Sequence, residues 1–302
     1  MRTIMFAYTY VSGHCKKIKT NHIMTRKGTF TTLDPKAKIF IELEKQQPKW
    51  WILLSNDKEL YIEIRKDNYI NVYYFGGSVV RIDYKNDFVA ETHQKYLGDY
   101  NPRGKTQKGI DKFEYDEIDL SILDERIISE IKSHIKKDYL RHIDTEKVAE
   151  KWIQGKMIKE SSNYIDSEFQ FNQDSEIGKL RIDLIELYGG VLSFVELKGI
   201  FDSRLRNDTK RNLKVPEIIE QMHKYQLFIN RYEDEIKDYY KKLIEIKQSL
   251  GLTTVENTNL KLNKTPKLII ANTYRKMTKP REDRISDIKK LLELNNIDYE
   301  IV

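Results

Sequence analysis

Residues 181–198 have the sequence RIDLIELYGGVLSFVELK, which is the most informative segment for predicting the fold. Apolar residues recur on both sides of Gly189 and Gly190, and a pair of glycines is a strong former of tight hairpin turns. We therefore predict two antiparallel strands, Leu180–Leu187 and Val191–Lys198, joined by the glycine turn. The turn folds the second strand back beside the first.

Three ionisable side chains of the hairpin point to chemistry. Side chains two positions apart on a strand share a face, so Glu196 and Lys198 should project together, while Val195 and Leu197 point into a core. Asp183 on the neighbouring strand brings a second carboxylate to the same place. A divalent cation binds oxygen ligands, and hydrolysis of a phosphodiester needs its negative charge neutralised while water attacks. The trio meets both requirements; the alternative is that Glu196 and Lys198 form an ordinary ion pair of the sheet.

A predicted helix that opens at Pro216 carries Gln221 and Tyr225 one turn apart on one face. A D-x12-E-x-K pattern over a hairpin, followed by a Q-x3-Y helix, resembles the PD-(D/E)xK nuclease superfamily, and specifically its RecB-like branch. The resemblance covers roughly the last half of the chain. The proline that usually precedes the aspartate in this family is absent here, where Ile182 stands.

The resemblance implies a site and a cofactor. Asp183 and Glu196 would hold Mg²⁺ or Mn²⁺, and the backbone carbonyl of Leu197 would add a third oxygen ligand. Lys198 would orient or deprotonate the attacking water. A metal ion beside it would stabilise the hydroxide and the charge that builds on the phosphate. Some RecB-like nucleases also carry a four-cysteine cluster, which a chain with Cys15 alone cannot form.

The resemblance also implies supporting residues around the site. Family members often add an acidic residue from the helix before the hairpin, and Glu150 is our choice, with Glu146 and Glu160 as alternatives. Glu150 could instead be a solvated helix carboxylate paired with a lysine. Gln221 would hold a metal ligand or the scissile phosphate, and Tyr225 would contact the phosphate backbone. Alternatively, the Tyr225 ring is half buried with its hydroxyl in water.

A basic segment follows the second strand of the hairpin. Between residues 204 and 214 it carries five basic residues and one acidic residue. The basic ones are Arg204, Arg206, Lys210, Arg211 and Lys214. A basic loop at the mouth of a nuclease site would contact the nucleic-acid backbone and make binding strongly dependent on salt. The alternative is a run of charge on ordinary solvated surface.

The composition limits the classes of protein. The chain of 302 residues is long enough for one large domain or two, each with a sizeable core. With 53 Lys and Arg against 47 Asp and Glu, the net charge of +6 permits a polyanionic partner without requiring one. A single cysteine excludes an internal disulfide, and the six scattered histidines do not support a zinc site. The sequence has no apolar run of about 18 residues and no signal-like leader, so we expect a soluble, cytoplasmic protein.

The N-terminal half is predicted to be mostly β. A helix over Lys36–Gln47 is expected to end at Pro48. Turn-forming residues then separate four predicted strands: Trp50–Leu54, Glu59–Arg65, Tyr69–Phe75 and Val79–Tyr84. The alternation of apolar and polar residues along Glu59–Arg65 predicts an antiparallel meander with one face in water. The tyrosines of this meander could stack on nucleic-acid bases, or could simply suit strands.

The C-terminal half alternates helices and strands, as α/β proteins do. A polar connector covers residues 99–116. Besides the hairpin, strands are predicted at Glu168–Phe171, Lys267–Ala271 and Tyr299–Val302. Helices are predicted over Ser121–Leu140, Thr145–Lys159, Pro216–Leu250 and Arg284–Leu294.

We therefore predict an α+β protein overall. It has a β-rich N-terminal module over residues 1–115 and a restriction-endonuclease-like α/β core over residues 116–302, in which helices flank a central mixed sheet. The predicted function is that of a deoxyribonuclease that hydrolyses phosphodiester bonds with Mg²⁺ or Mn²⁺. The alternative is a catalytically silent nucleic-acid-binding or assembly protein that retains the fold. No membrane partner is expected, and the sequence leaves open RNA as substrate, internal or terminal cleavage, and a homodimer.

Overall fold

Two β-sheets form the centre of the protein. A computed structural model describes residues 32–98, 115–141, 145–172, 174–206, 215–255 and 259–302. The first sheet is built from strands before residue 119, and the second is built from strands after residue 163. The overall class is therefore mixed α and β, as predicted.

The first sheet is an antiparallel meander. Each strand pairs with the next along the chain, as the alternating sequence pattern predicts. The strands are β1 (Leu60–Arg65), β2 (Tyr69–Tyr74), β3 (Gly77–Tyr84), β4 (Phe88–His93) and β5 (Tyr115–Ile118). They are preceded by α1 (Lys38–Gln46) and α2 (Lys49–Asn56). The sheet extends to Ile118, and the domain boundary at residue 115 stays a prediction.

The prediction of a strand at Trp50–Leu54 is wrong, because these residues lie in α2. The first helix ends just before Pro48, as predicted, but Pro48 then becomes the residue that caps the start of α2. Trp51 and Leu54 lie about one helical turn apart, and each is only 1% exposed. Periodicity alone cannot assign a short apolar run to helix or strand, and here the burial of one helical face decides.

The second sheet is mixed, as predicted for the C-terminal half. Its strands are β6 (Tyr164–Phe171), β7 (Leu180–Tyr188), β8 (Val191–Gly199), β9 (Lys261–Leu262), β10 (Lys267–Ala271) and β11 (Asp298–Ile301). The order across the sheet is β11, β10, β8, β7, β6, and β9 also pairs with β8. Strand β7 is antiparallel to both neighbours, whereas β10 runs parallel to β8 and β11. The hairpin strand β8 therefore lies in the middle of the sheet.

The helices described in the C-terminal half are α3 (Glu125–Tyr139), α4 (Glu150–Glu160), α5 (Glu217–Arg231), α6 (Glu233–Ser249) and α7 (Lys279–Leu294). The prediction of one continuous helix from Pro216 is wrong, because Tyr232 leaves helical geometry between α5 and α6, with φ −119° and ψ 26°. The Tyr232 hydroxyl donates to Asp174 Oδ2 at 2.8 Å. This contact fixes the break and comes from another part of the chain, so the helical pattern does not reveal it. Helix α4 also begins later than predicted, at Glu150 instead of Thr145.

The polar face of β1 does not lie in water, contrary to the sequence prediction. Glu63 on this face is only 2% exposed, because the face packs against β6 and α6. The rings of Tyr61 and Tyr73 stack on each other, with centroids 5.3 Å apart. The interpretation of the tyrosines as a platform for nucleic-acid bases stays a prediction.

A cluster of buried apolar side chains extends through both sheets. It runs from Ile64 and Val80 of the first sheet to Phe171 and Phe194 of the second and to Phe228 of α5. Burial of this shared apolar surface stabilises the packing of one sheet against the other. In the parts of the chain that the structure describes, every helix is too short or too polar to cross a membrane.

Candidate active site

The hairpin of β7 and β8 brings Asp183 beside Glu196. In the antiparallel register Leu184 pairs with Val195, which places the two carboxylates on adjacent positions of neighbouring strands. Asp183 Oδ2 accepts a hydrogen bond from the backbone N–H of Leu197 at 2.9 Å. The glycine turn and the alternating apolar residues therefore put two carboxylates at one end of β8, as the sequence predicts.

The ammonium of Lys198 occupies the point where these oxygens converge. Lys198 Nζ lies 2.8 Å from the Leu197 carbonyl oxygen and 3.6 Å from Asp183 Oδ2, and it forms an ion pair with Glu196. Lys198 and Glu196 are each only 1% exposed. The ion pair between Glu196 and Lys198, which the sequence analysis gave as the alternative to a metal site, is thus present. It belongs to a larger group in which three oxygen-bearing residues surround one ammonium.

Helix α5 holds Glu196 from the opposite side. Gln221 Nε2 donates to Glu196 Oε1 at 2.6 Å, and the Tyr225 hydroxyl donates to Glu196 Oε2 at 2.7 Å. Gln221 and Tyr225 also contact each other at 2.7 Å, as expected for residues one turn apart. Both oxygens of the carboxylate are therefore fixed in position.

Tyr225 is held by other parts of the protein, and its predicted contact with a phosphate backbone stays a prediction. The Tyr225 side chain is 1% exposed, and its hydroxyl lies 2.5 Å from the Arg181 carbonyl oxygen in addition to its bond with Glu196. Burial and the nearby Glu196 carboxylate raise the pKa of Tyr225 well above its usual value. The alternative, a half-buried ring with its hydroxyl in water, is wrong, because this buried hydroxyl contacts Arg181 and Glu196 and so positions Glu196.

Burial also shapes the acidity of Glu196. Removal from water and the neighbouring Asp183 raise the pKa of Glu196 to about 7, against the opposing effects of Lys198 and Tyr225. At neutral pH this carboxyl group is therefore poised between its two protonation states. A positive charge placed beside it favours the ionised form.

Glu150, our choice among three acidic residues, reaches the end of β8. Its Oε1 accepts a hydrogen bond from the Gly199 N–H at 3.2 Å, and its Oε2 lies 3.7 Å from the Arg204 guanidinium. Burial raises the pKa of Glu150, while the nearby Lys198 lowers it. Glu146 instead pairs with an arginine of α7, and Glu160 is exposed beside a lysine of its own helix.

Helix α4, which carries Glu150, is docked closely on the first sheet. A Cβ at Gly155 would lie 2.3 Å from Phe75 Cα, so glycine permits the approach. The Trp152 ring stacks on Phe75 at 4.3 Å. On the same helix Gln154 is 3% exposed and donates to the Asp183 carbonyl oxygen at 2.5 Å. Sequence reasoning missed Gln154, because a lone glutamine on a helix gives no signal.

The predicted basic segment is described only in part. Arg204 is held by Asp202, with 2.6 Å between Arg204 Nη2 and Asp202 Oδ2, and sequence reasoning missed this aspartate. Arg206 is exposed. Lys210, Arg211 and Lys214 lie outside the described residues. The interpretation of this segment as a contact for phosphates stays a prediction.

A cavity of about 450 Å³ opens beside Gln221 and Tyr225, and we call it the hairpin cavity. Its basic lining residues are Lys179, Arg181, Arg204 and Lys224, and its acidic ones are Glu217 and Glu220. Lys179 directly precedes β7, and Lys224 follows Gln221 by about one helical turn, so both are placed by elements that the sequence predicts. Sequence reasoning did not select them, because single exposed lysines are common. The basic residues of the lining outnumber the acidic ones, although Arg181 also pairs with Glu168 and Arg204 with Asp202.

The oxygen donors at the end of β8 fit a hard cation in chemical type. Two carboxylates and a carbonyl, from Asp183, Glu196 and Leu197, surround one ammonium, and oxygen atoms are the ligands that Mg²⁺ and Mn²⁺ prefer. Among the described residues, no group of three or more His, Cys, Asp or Glu side chains is arranged to hold a metal ion. The site instead combines two carboxylates with a carbonyl, and Lys198 supplies the positive charge.

No family model, no curated protein and no solved structure matches the chain. The resemblance to the PD-(D/E)xK superfamily therefore rests on the residues of the hairpin and of α5, and it stays a prediction.

Proposed function

We propose that the protein is a metal-dependent nuclease that hydrolyses phosphodiester bonds in DNA. One observation carries the proposal: the oxygens of Asp183, Glu196 and Leu197 converge on the ammonium of Lys198. This group combines ligands for a hard cation with a proton-carrying amine at one point. Hydrolysis of a phosphodiester needs both, because its charge must be neutralised while a water molecule is oriented and deprotonated.

Lys198 acts on the attacking water. Its three N–H groups can donate to that water or to a phosphate oxygen, which stabilises the negative charge of the transition state. Asp183 and Glu196, with the Leu197 carbonyl, would hold Mg²⁺ or Mn²⁺, which supplies charge neutralisation and lowers the pKa of water when bound. A second cation beside Glu196 would repel the Lys198 ammonium and free it from its ion pair.

Glu150, Gln221 and Tyr225 position the groups that react. Gln221 and Tyr225 fix the two oxygens of Glu196, so the carboxylate loses little conformational freedom when it binds a cation. Glu150 anchors the backbone at Gly199, directly after Lys198. These contacts keep the geometry of the site set before substrate arrives, which is how electrostatic catalysis avoids reorganisation during the reaction.

The hairpin cavity fits a polyanionic substrate. Lys179 and Lys224 are exposed at its wall, and Arg181 and Arg204 complete its basic lining. Lysine and arginine side chains of this kind contact phosphates without reading sequence. We assign the nucleic-acid backbone to this cavity, so that a scissile phosphate reaches Lys198 at the end of β8.

The alternative function, a nucleic-acid-binding or assembly protein without turnover, has one observation in its favour. Lys198 is almost fully buried and already paired with Glu196. A site that stays closed in this way would bind nucleic acid through the surrounding cations and leave it intact.

A nuclease assay separates the two functions. Single-stranded, duplex and supercoiled DNA and RNA are incubated with Mg²⁺, Mn²⁺ or EDTA and with the wild-type protein, Asp183→Asn or the control Glu186→Gln, an alteration on the same strand that lies outside the oxygen cluster. We expect cleavage of DNA with Mg²⁺ or Mn²⁺, none with EDTA, loss in Asp183→Asn and normal activity in Glu186→Gln. Binding without cleavage would support the alternative, and cleavage by Asp183→Asn at the normal rate would overturn the assigned site.

A further inference from the structure

A second cavity, of about 510 Å³, lies between α7 and the turn Ser203–Leu205 that follows β8. We call it the α7 cavity. Arg206 and Arg284 line it, together with apolar side chains of α7 that include Ile288 and Leu291. It therefore combines two guanidinium groups with a partly apolar wall.

Arg284 is held in place without a counter-charge. Its Nη2 donates to the Ile200 carbonyl oxygen at 2.6 Å, and its Nε is buried without a hydrogen-bond partner. Burial and the like charge of Arg206 lower the pKa of Arg284. Across the described residues, neither arginine forms an ion pair with a carboxylate. Because a partly buried guanidinium without an anion is costly, this arrangement favours binding of one.

The lining of the cavity also includes two acidic residues, Asp283 and Asp287, and among the described residues neither forms an ion pair with these arginines. Asp283 forms an ion pair with Lys279 at 3.0 Å, and Asp287 is exposed on the next turn of α7. An incoming phosphate would therefore meet the exposed guanidinium of Arg206, with Arg284, held by the Ile200 carbonyl oxygen, beside it in the cavity wall. A planar guanidinium is well suited to phosphate, since it offers two parallel N–H groups.

The two cavities lie on opposite sides of the end of β8. On one side is β7, which begins at Leu180 in the wall of the hairpin cavity. On the other side is β10, whose Ala271 pairs beside Gly199 and which leads into α7. The turn Ser203–Leu205 separates the cavities, since Arg204 lines the first and Arg206 lines the second. Lys198 thus has a cavity lined by arginines on each flank.

We propose that the α7 cavity binds backbone phosphates of the cleaved strand beyond the scissile bond, so that the enzyme cuts inside a continuous strand. This inference rests on the proposed nuclease function. A strand held only in the hairpin cavity could end at Lys198, whereas a strand held in both cavities must pass the site. The substrate class is therefore a strand without an end at the site, and the reaction is endonucleolytic.

Two measurements test the inference. The first compares covalently closed circular DNA, single-stranded and duplex, with linear DNA of the same sequence in the presence of Mg²⁺ or Mn²⁺. We expect the wild-type protein to cut closed circles at a rate within about tenfold of the linear form. Degradation of linear DNA with intact circles would overturn the inference and leave the proposed function standing.

The second measurement follows binding of a fluorescent 30-nucleotide single strand in EDTA as a function of salt. Arg206→Gln combined with Arg284→Gln should flatten the slope of log Kd against log salt by roughly 0.7 for each phosphate that the variant no longer neutralises. Lys290→Gln, an exposed change on α7 outside the cavity, is the matched control and should leave the slope unchanged. Arg206→Gln alone changes an exposed side chain and gives the same test if the Arg284 variant folds poorly.

The outcomes distinguish failure of this inference from failure of the proposed nuclease function. A flattened slope together with no cleavage of any substrate would overturn the nuclease function and with it endonucleolytic cutting. Cleavage of closed circles with an unchanged slope would overturn the α7 cavity as the phosphate site, while the nuclease function stands. A flattened slope together with cut circles supports both.

Discussion

Two groups of charged side chains, one between the two sheets and one at the end of β8, differ in the ratio of cations to carboxylates. Between the sheets, Arg65 pairs with Asp166 at 3.2 Å and Lys247 pairs with Glu63 at 3.1 Å. Two cations therefore face two carboxylates. The Tyr240 hydroxyl donates to the second oxygen of Asp166 at 3.1 Å. We call this group the inter-sheet cluster.

At the end of β8 carboxylates outnumber cations. Asp183 and Glu196 lie beside the single ammonium of Lys198, and Arg204 is shared between the carboxylates of Glu150 and Asp202. An excess of negative charge around a buried carboxylate such as Glu196 costs stability unless a cation joins it. We infer that the balanced inter-sheet cluster is structural, whereas the excess of carboxylates at the end of β8 suits the proposed binding of a cation.

The largest effect that we expect is on the rate of cleavage, and it should differ between Lys198 at the end of β8 and Lys247 in the inter-sheet cluster. Lys198→Ala should lower the rate of cleavage by about 10²- to 10⁴-fold with little change in affinity for DNA, because this amine acts on the transition state. Lys247→Ala, the matched change in the inter-sheet cluster, should leave the rate per folded molecule unchanged. Single-turnover cleavage and anisotropy binding measure both. Normal cleavage by Lys198→Ala would remove that residue from the chemistry.

The next largest effect concerns stability. Lys247→Met leaves the buried Glu63 carboxylate without its cation, and we expect the free energy of unfolding to fall by about 3 to 5 kcal/mol. Urea denaturation at pH 7 measures it. Adding Glu63→Gln to Lys247→Met should restore part of the loss, since the uncompensated charge is gone. No difference between the single and double variants would contradict a paired, structural cluster.

A third effect is a dependence of stability on pH. The folded pKa of Glu196, raised to about 7, exceeds its unfolded value, so the folded protein binds more protons between about pH 4 and 7. Stability without metal should therefore fall as pH rises through this window. In Glu196→Gln, the free energy of unfolding should fall by up to about 3 kcal/mol less than in wild type over this pH range. The variant should therefore be more stable than wild type at pH 8.

Asp166 in the inter-sheet cluster gives this pH measurement its control. Burial and Glu63 raise the pKa of Asp166 to about 7 as well, against Arg65 and Lys247. Its contribution is the same in wild type and in Glu196→Gln, so the difference between their pH curves reports Glu196 alone. Parallel curves for the two proteins would show that Glu196 does not carry the excess charge.

The smallest effect belongs to the rim of the hairpin cavity. Lys179→Gln and Lys224→Gln should each flatten the salt dependence of single-strand binding by roughly 0.7, with cleavage at saturating DNA nearly unchanged. Both lysines are exposed, so the fold should tolerate the changes. Lys290→Gln again serves as the control. An unaltered salt slope for both would move the substrate path away from this cavity.

Local patterns were enough to predict the hairpin and the Q-x3-Y helix. The turn at Gly189 and Gly190 and the alternation of apolar and polar residues around it depend only on residues that are near each other in the sequence. The same holds for the contact between Gln221 and Tyr225, which lie one helical turn apart. Glu150 could be chosen among three acids only through the family resemblance, and the structure places it at Gly199.

Features that depend on contacts between distant segments could not be predicted. The burial of Glu63 depends on Lys247 of α6, and the break at Tyr232 depends on Asp174. The support that Gln154 gives to Asp183 likewise appears only when α4 docks on the sheets. Each needs the three-dimensional packing that periodicity and spacing do not contain.

Crystals soaked in Mn²⁺ test whether Asp183 and Glu196 hold a metal ion, because anomalous scattering locates the ion. We predict one peak at the end of β8, with carboxyl oxygens of Asp183 and Glu196 within about 2.0 to 2.6 Å of it and the Lys198 ammonium displaced from Glu196. We predict no peak in the balanced inter-sheet cluster. A site at the end of β8 without Mn²⁺, and with Lys198 still paired to Glu196, would show that these carboxylates do not form a metal site.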